Sequence, residues 1–346
     1  MKLLNRLIIS IGITVFTVTG MIAQVPAGYY DGTEGLEGET LRQALHNIID
    51  DHTTLSYSDL WDAYEDTDKR SDGKVWDMYS NCNFTFGSDQ CGTYSDICDC
   101  YNREHSVPQS WFNDANPMVT DIHHVIPTDG KVNGYRSNYP FGECNGTTYG
   151  TGKLGSCTYS GYSGTVFEPA DEYKGDIARI YFYMATRYMD VMGSWPGGAS
   201  FSGNNLSTWT RQMLLEWHHD DPVSQKEIDR NNSIYYDYQH NRNPFIDNPT
   251  YADAIWDPDY NPSYITITEA YFTVYPNPAN SSISIEANFD SEVKEISIQD
   301  ICGRTVFKST FNKNTNIDIE DLNPGTYFIN IKGKDEKRFI KQVIIY

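Results

Sequence analysis

The sequence predicts an α+β chain in two parts: a mainly helical first part built around a strand–loop–strand–helix unit, and a small all-β sandwich at the C-terminus. Three observations predict it. Apolar residues recur at helical spacing in several segments between residues 38 and 220. Between residues 100 and 144, two short extended runs flank a polar loop and lead into a helix start. Beyond residue 273, apolar and polar residues alternate in short runs separated by turn residues.

The chain of 346 residues is long enough for two domains. Residues 1–23 read as a secretory signal: Lys2 and Arg6, an apolar run from Leu7 to about Ile22, then Ala23 before Gln24. That run is too short and too interrupted by Thr and Gly for a membrane span. The first domain is expected over 24–260, a linker over 261–272 where DPDYNPSY and its surroundings are rich in Pro, Asp and Tyr, and the second domain over 273–346.

Within the first domain, Leu41, Leu45, Ile48 and Ile49 mark one helix, and Leu60, Trp61 and Tyr64 start another after Ser58. The strongest helix is expected over 171–190, with Ile177, Ile180, Tyr181, Met184 and Tyr188 on its core face. Met213, Leu214 and Trp217 mark a further helix that ends before Pro222. Arg179, Arg187 and Arg242 are candidates for reaching an anionic ligand, although such residues are more often solvated or paired.

Six of the seven cysteines (Cys82, Cys91, Cys98, Cys100, Cys144 and Cys157) fall between residues 82 and 157, which suggests disulfides in an exported chain. Cys144 and Cys157 bracket a Gly/Tyr-rich loop and are expected to pair, whereas Cys98 and Cys100 are too close to bond each other. A zinc cluster is a weaker reading, because zinc prefers wider pairs such as CxxC. Cys302, alone in the last domain, is expected to be a buried small apolar residue.

The charge balance is acidic, with 26 Lys and Arg against 47 Asp and Glu, a formal net charge of −21. That argues for a hydrolase rather than a protein that holds a polyanion in a stable, charge-driven complex. It leaves room for an enzyme with a local basic groove, where a bound cation adds positive charge.

The most chemically able stretch is CYNREHSVPQSWFNDANPMVTDIHHVIPTDGKVNGYRSNYPFGEC, residues 100–144. Arg103, Glu104 and His105 stand side by side on the first extended run, which Val107 and Pro108 close; the second run spans Ile122–Pro127. Thr128 and Asp129 offer N-cap chemistry to a short helix carrying Lys131, Asn133 and Arg136. Hydrolysis of a phosphodiester needs a base for water and a cation at the leaving oxygen. His105 has an ordinary pKa suited to the base. Glu104 and Asn133 are hard oxygen donors suited to magnesium, with water and phosphate oxygens completing the shell. Adjacent strand residues point to opposite faces, so Glu104 and His105 can serve one site only at a strand end or bulge. His123 and His124 are expected to alternate on the second run, one of them facing the core, with His124 either buttressing His105 or simply packing. His218 and His219 diverge by about 100° on a helix and are not expected to chelate one ion.

REHSVPQSWF followed by DIHHVIPTDGKVNGYRSNYPFGE resembles the bacterial endonuclease I family, whose core is the ββα-metal or His-Me finger. The resemblance continues through VFEPADEYKGDIARIYFYMATRY and LLEWHHDDPVSQKEIDRNNSIYYDYQHNRNPFIDNP, and covers roughly Ala27–Trp256. It implies His105 as general base, Glu104 as metal ligand and Asn133 as the residue completing the metal site. Some relatives carry a longer cysteine-containing insert with an arginine that contacts the scissile phosphate. Residues 106–132 contain no arginine here, so the clamp falls to Arg136, Arg103 or Lys131.

Beyond the linker, YPNPAN, DICGRTV, LNPGTYF and an apolar final strand resemble the type A sorting domain of the type IX secretion system. Together the resemblances imply a secreted or cell-surface, monomeric endonuclease with magnesium as cofactor and manganese or calcium as substitutes. Its implied partners are DNA, with RNA left open, and the secretion machinery. The rival expectation is an inactive surface adhesin or glycan-binding protein on the same fold; the intact trio of Glu104, His105 and Asn133 counts against it. A peptide-cleaving zinc hydrolase lacks any HExxH.

Overall fold

The computed structural model describes residues 25–257, 272–287, 293–300, 304–310, 314–333 and 338–346. The expected signal (1–23), nearly all of the expected linker and Cys302 lie outside the described residues. The chain divides into two compact units near residue 260.

In the first unit, α1 (Gly38–Ile49) forms where Leu41, Leu45 and Ile49 repeat every four residues, and all three are buried. Helix α2 (Asp59–Thr67) follows Ser58, with Asp59 and Asp62 at its positive N-terminal end. The two-stranded antiparallel sheet of β1 (Tyr101–His105) and β2 (Val125–Asp129) leads straight into α3 (Gly130–Arg136). The strands β3 (Thr147–Tyr149), β4 (Gly152–Ser156) and β5 (Thr165–Glu168) make a second small antiparallel sheet.

Helix α4 (Lys174–Arg187) is the centre of this unit, and every residue from Gly175 to Arg187 is buried. The expected single apolar face is therefore too narrow a description: all sides are covered, with α1, α5 and α7 among its neighbours. The short hairpin of β6 (Phe201–Ser202) and β7 (Asn205–Leu206) precedes α5 (Thr208–Asp220), and α6 (Gln225–Ser233) opens on a capping box in which Ser224 and Glu227 each hold the other's backbone N–H. Helices α7 (Pro244–Asp247) and α8 (Thr250–Trp256) close the unit, α8 packing on α1. Among the described residues no helix is long and apolar enough to cross a membrane.

Disulfides join Cys82 to Cys98 and Cys91 to Cys100, tying the loop before β1 to itself and to the strand's start. The expected Cys144–Cys157 bond is absent, and both are free thiols. The two residues do face each other across an isolated antiparallel bridge, but the Cys157 sulfur is directed to the Tyr159 carbonyl, 3.7 Å away. Sequence spacing brings such a pair together without fixing the direction of its Cβ–S bonds. Asp129 lies close to the sulfurs of Cys82 and Cys98, but both sulfurs are consumed in the disulfide.

The second unit carries β8 (Phe272–Tyr275), β9 (Ser282–Ala287), β10 (Val293–Asp300), β11 (Thr305–Ser309), β12 (Asn314–Asp318), β13 (Gly325–Gly333) and β14 (Arg338–Ile345). They form a four-stranded sheet in the order β11-β10-β13-β14 and a three-stranded sheet in the order β12-β9-β8. Ile283 and Ile285 on β9, Ile296 and Ile298 on β10, and Ile329 and Ile331 on β13 repeat every second residue. All six are buried in one core shared by the two sheets.

Candidate active site

The site is assembled on β1, whose pairing with β2 is regular from Tyr101↔Asp129 to His105↔Val125. No bulge interrupts it, and β1 ends at His105. Side chains therefore alternate. Asn102 and Glu104 leave one face: Asn102 Oδ1 accepts from Asn133 Nδ2 at 2.8 Å, and Glu104 Oε1 accepts from Tyr79 Oη and Arg136 Nη1, each at 2.6 Å. Arg103 and His105 leave the other face and share Tyr57, whose ring covers the Arg103 guanidinium at 3.6 Å and stacks on the imidazole with centroids 6.1 Å apart. β1 ends at His105, the strand end that the sequence requires, and carboxylate and imidazole leave it on opposite faces, as adjacent strand residues do.

His105 is 4 % exposed. Its Nε2 lies 3.0 Å from the Val119 carbonyl and its Nδ1 3.0 Å from Gln109 Nε2. A carbonyl only accepts and an amide nitrogen only donates, so the network assigns the proton to Nε2 and the lone pair to Nδ1. Burial, then the neighbouring His124, Arg103 and Arg136, lower its pKa to about 3, so the ring is neutral at ordinary pH. His124 packs edge-on against His105, and its Nε2 bonds the Met118 carbonyl at 2.6 Å. The two imidazoles thus hold neighbouring carbonyls of one turn, Met118–Thr120. His123 is buried as well, contrary to the expected alternation: both histidines precede β2 and lie in the turn leading into it. The buried Asp121 carboxylate fixes that turn by accepting from Tyr183, Tyr188, Gln239 and the His123 amide.

Asn133 sits on α3, where Asp129 Oδ1 caps the helix by accepting from the Lys131 and Val132 amides at 2.9 Å each. Tyr94 packs so tightly on α3 that a Cβ at Gly130 would lie 2.7 Å from its ring. Burial pushes the Glu104 carboxyl up, opposed by Arg136 and the Tyr79 hydroxyl.

The three candidate phosphate clamps differ. Arg136 is 1 % exposed, and besides Glu104 it donates to the His105 carbonyl (2.8 Å) and to the Ser106 carbonyl. Its guanidinium is engaged inside the protein, which corrects the expectation that it grips a phosphate. Lys131 lies over the Tyr135 ring at 5.3 Å. Arg103 stands on the imidazole's face of β1, its guanidinium flanked by Tyr57 and Trp61 and donating to the Tyr57 carbonyl at 2.5 Å. Arg179 and Arg242 are buried in pairs with Glu227 and Asp247, and Arg187 bonds His52. His219 pairs with Asp253 and His218 bonds the Pro249 carbonyl, so the two do not converge. Sequence reasoning missed Tyr79, Tyr57, Gln109 and the Val119 carbonyl; Asn102 alone carried a signal, its two-residue offset from Glu104.

The chain is similar to known proteins over both of its units. The family model for endonuclease I matches residues 37–250, and that for a secretion system C-terminal sorting domain matches residues 273–346. An extracellular ribonuclease of Bacillus subtilis (strain 168) is 40% identical over 243 residues, 66% of this chain and 78% of that protein. An extracellular ribonuclease of Bacillus amyloliquefaciens is 38% identical over 275 residues, 74% of this chain and 89% of that protein. A periplasmic deoxyribonuclease of Aeromonas hydrophila is 32% identical over 132 residues, 38% of this chain and 49% of that protein.

Proposed function

The chain belongs to the endonuclease I family, and from that premise we propose a metal-dependent endonuclease with little sequence preference that hydrolyses DNA and RNA at the end of β1. Membership makes it a nuclease, and its sorting domain and extracellular relatives make it a secreted or cell-surface protein. On this reading β1, β2 and α3 are the ββα-metal finger, His105 is the general base, and Glu104 with Asn133 holds the cation. The single observation that carries it is the held imidazole, with Nε2–H on the Val119 carbonyl and the Nδ1 lone pair accepting from the Gln109 amide, a bond that an attacking water replaces when Nδ1 takes its proton.

The donor set fits a hard divalent ion. Tyr79 and Arg136 occupy Glu104 Oε1 and leave the second carboxylate oxygen, and the Asn133 Nδ2 bond to Asn102 leaves its Oδ1 as acceptor. Magnesium is the ion proposed, with manganese or calcium as substitutes. When bound, the cation neutralises charge developing on the departing 3′ oxygen. The residues do the rest. His105 Nδ1 takes the proton of the attacking water, and a phosphate beside the ring raises the ring's basicity above its value in the free protein. Arg103 binds the phosphate on the imidazole's face, and Arg136 keeps Glu104 and the His105 backbone in register. RNA stands beside DNA because the relatives named above include both ribonucleases and a deoxyribonuclease. No observation favours the adhesin alternative.

The test is hydrolysis of supercoiled plasmid and of single-stranded RNA by the mature protein. Cleavage of both with magnesium, stopped by EDTA, is expected. Failure to cut either with magnesium, manganese or calcium contradicts the reading.

A further inference from the structure

A cleft of about 690 Å³ opens beside His105, lined by Thr54, Leu55, Tyr57, Gln109, Asn116 and Thr120 together with Ser56 and Val119. It is continuous with the candidate site: Gln109 donates to His105 Nδ1, the Val119 carbonyl holds Nε2, and Tyr57 stacks on the ring. Its lining carries no charged side chain, so it does not suit the phosphate itself. What it offers is one aromatic residue, Tyr57, 40 % exposed, two apolar side chains, Leu55 and Val119, and hydroxyl and amide groups able to meet donor and acceptor edges. The Arg103 guanidinium lies against the same tyrosine, so a cation borders the neutral cleft. A nucleotide has this division of chemistry: an anionic phosphate next to a flat, neutral, hydrogen-bonding base.

We propose that this cleft is a nucleobase subsite, with Tyr57 as its stacking platform, and that it makes the enzyme favour polynucleotides whose bases are unpaired. The inference rests on the nuclease reading above and names the substrate class of the same site. A base can enter only when it is out of its stack, which single strands allow and a closed duplex resists. Leu55 and Tyr57 wall the cleft, while Gln109, Asn116 and Thr120 face the base edge without selecting one base.

The test compares kcat/KM for a single-stranded oligonucleotide with that for the same sequence as a duplex, using the full protein and magnesium. The parent prefers the single strand. Tyr57→Ala lowers the single-strand to duplex ratio about tenfold, the size of one lost base–aromatic stack, and Tyr57→Phe keeps it. Thr54→Trp, which fills the cleft from an exposed position, lowers it likewise. A single strand carrying one abasic residue next to the only cleavable phosphate is cut by the parent as slowly as the intact strand is cut by Tyr57→Ala. A parent that cuts both forms equally, a smaller change of ratio in Tyr57→Ala and Thr54→Trp, or unimpaired cleavage of the abasic strand overturns the subsite while leaving the nuclease reading intact. A parent that cuts neither substrate overturns the nuclease reading instead.

Discussion

Arg136 Nη1 lies 2.6 Å from Glu104 Oε1, and both side chains are buried. The same nitrogen donates to the His105 carbonyl at 2.8 Å, so one guanidinium spans the carboxylate and the backbone of the residue next to it. Removing one partner of a buried pair leaves an uncompensated charge, at a cost of about 3–5 kcal/mol. Arg136→Ala is therefore expected to lose about that much stability in urea unfolding, with activity falling because Glu104 is no longer held. A variant of parental stability whose only defect is a raised KM would make Arg136 a phosphate clamp after all.

Asn102 acts through Asn133, whose amide it orients. Asn102→Ala is expected to raise the magnesium concentration for half-maximal activity at least tenfold, as loss of a residue orienting a metal ligand does, with kcat at saturating magnesium little changed. A magnesium titration checks this. An unchanged midpoint contradicts a cation site at Asn133.

These two relationships show what was legible in the sequence. Glu104, His105 and Asn133 fall within one short ββα stretch, so residue type and local pattern suffice to nominate them. The partners that hold them do not: Tyr79 reaches Glu104 from 25 residues away, and the atom that fixes the His105 tautomer is a backbone carbonyl without any sequence signature. Arginines misled for a different reason. Arg136, Arg179 and Arg242 read as anion-binding cations, yet each is buried against a carboxylate that only the fold supplies. The β-sandwich was legible from β9 onward, because its alternation is local, whereas β8 begins at Phe272, inside the expected linker.

His218 is buried between Arg179 and the Pro249 carbonyl, and burial first, then Arg179, lowers its pKa to about 4. The unfolded chain takes up this proton near pH 6.5 and the folded protein only near 4. Between those values the unfolded state binds more protons, so stability falls as pH drops. Over that window the loss is on the order of 3 kcal/mol. His218→Gln, which can still hydrogen-bond but does not titrate, is expected to flatten the dependence of unfolding free energy on pH between 6.5 and 4. Identical slopes in parent and variant contradict the buried neutral imidazole.

The two units have separate cores. A protein ending at Asp257 is expected to fold and to keep parental kcat/KM on plasmid within about twofold, since no residue of the proposed site lies beyond it. Circular dichroism and a cleavage assay check this; loss of folding contradicts the independence of the units.

The central claim is tested most directly by the single-turnover rate of plasmid cleavage by His105→Ala at saturating magnesium, with DNA binding followed in parallel. The account predicts a rate lower by about 10²–10⁴, the usual contribution of a positioned general base, with magnesium-dependent DNA binding retained. A variant that cuts within tenfold of the parent's rate contradicts the assignment of His105 as the base.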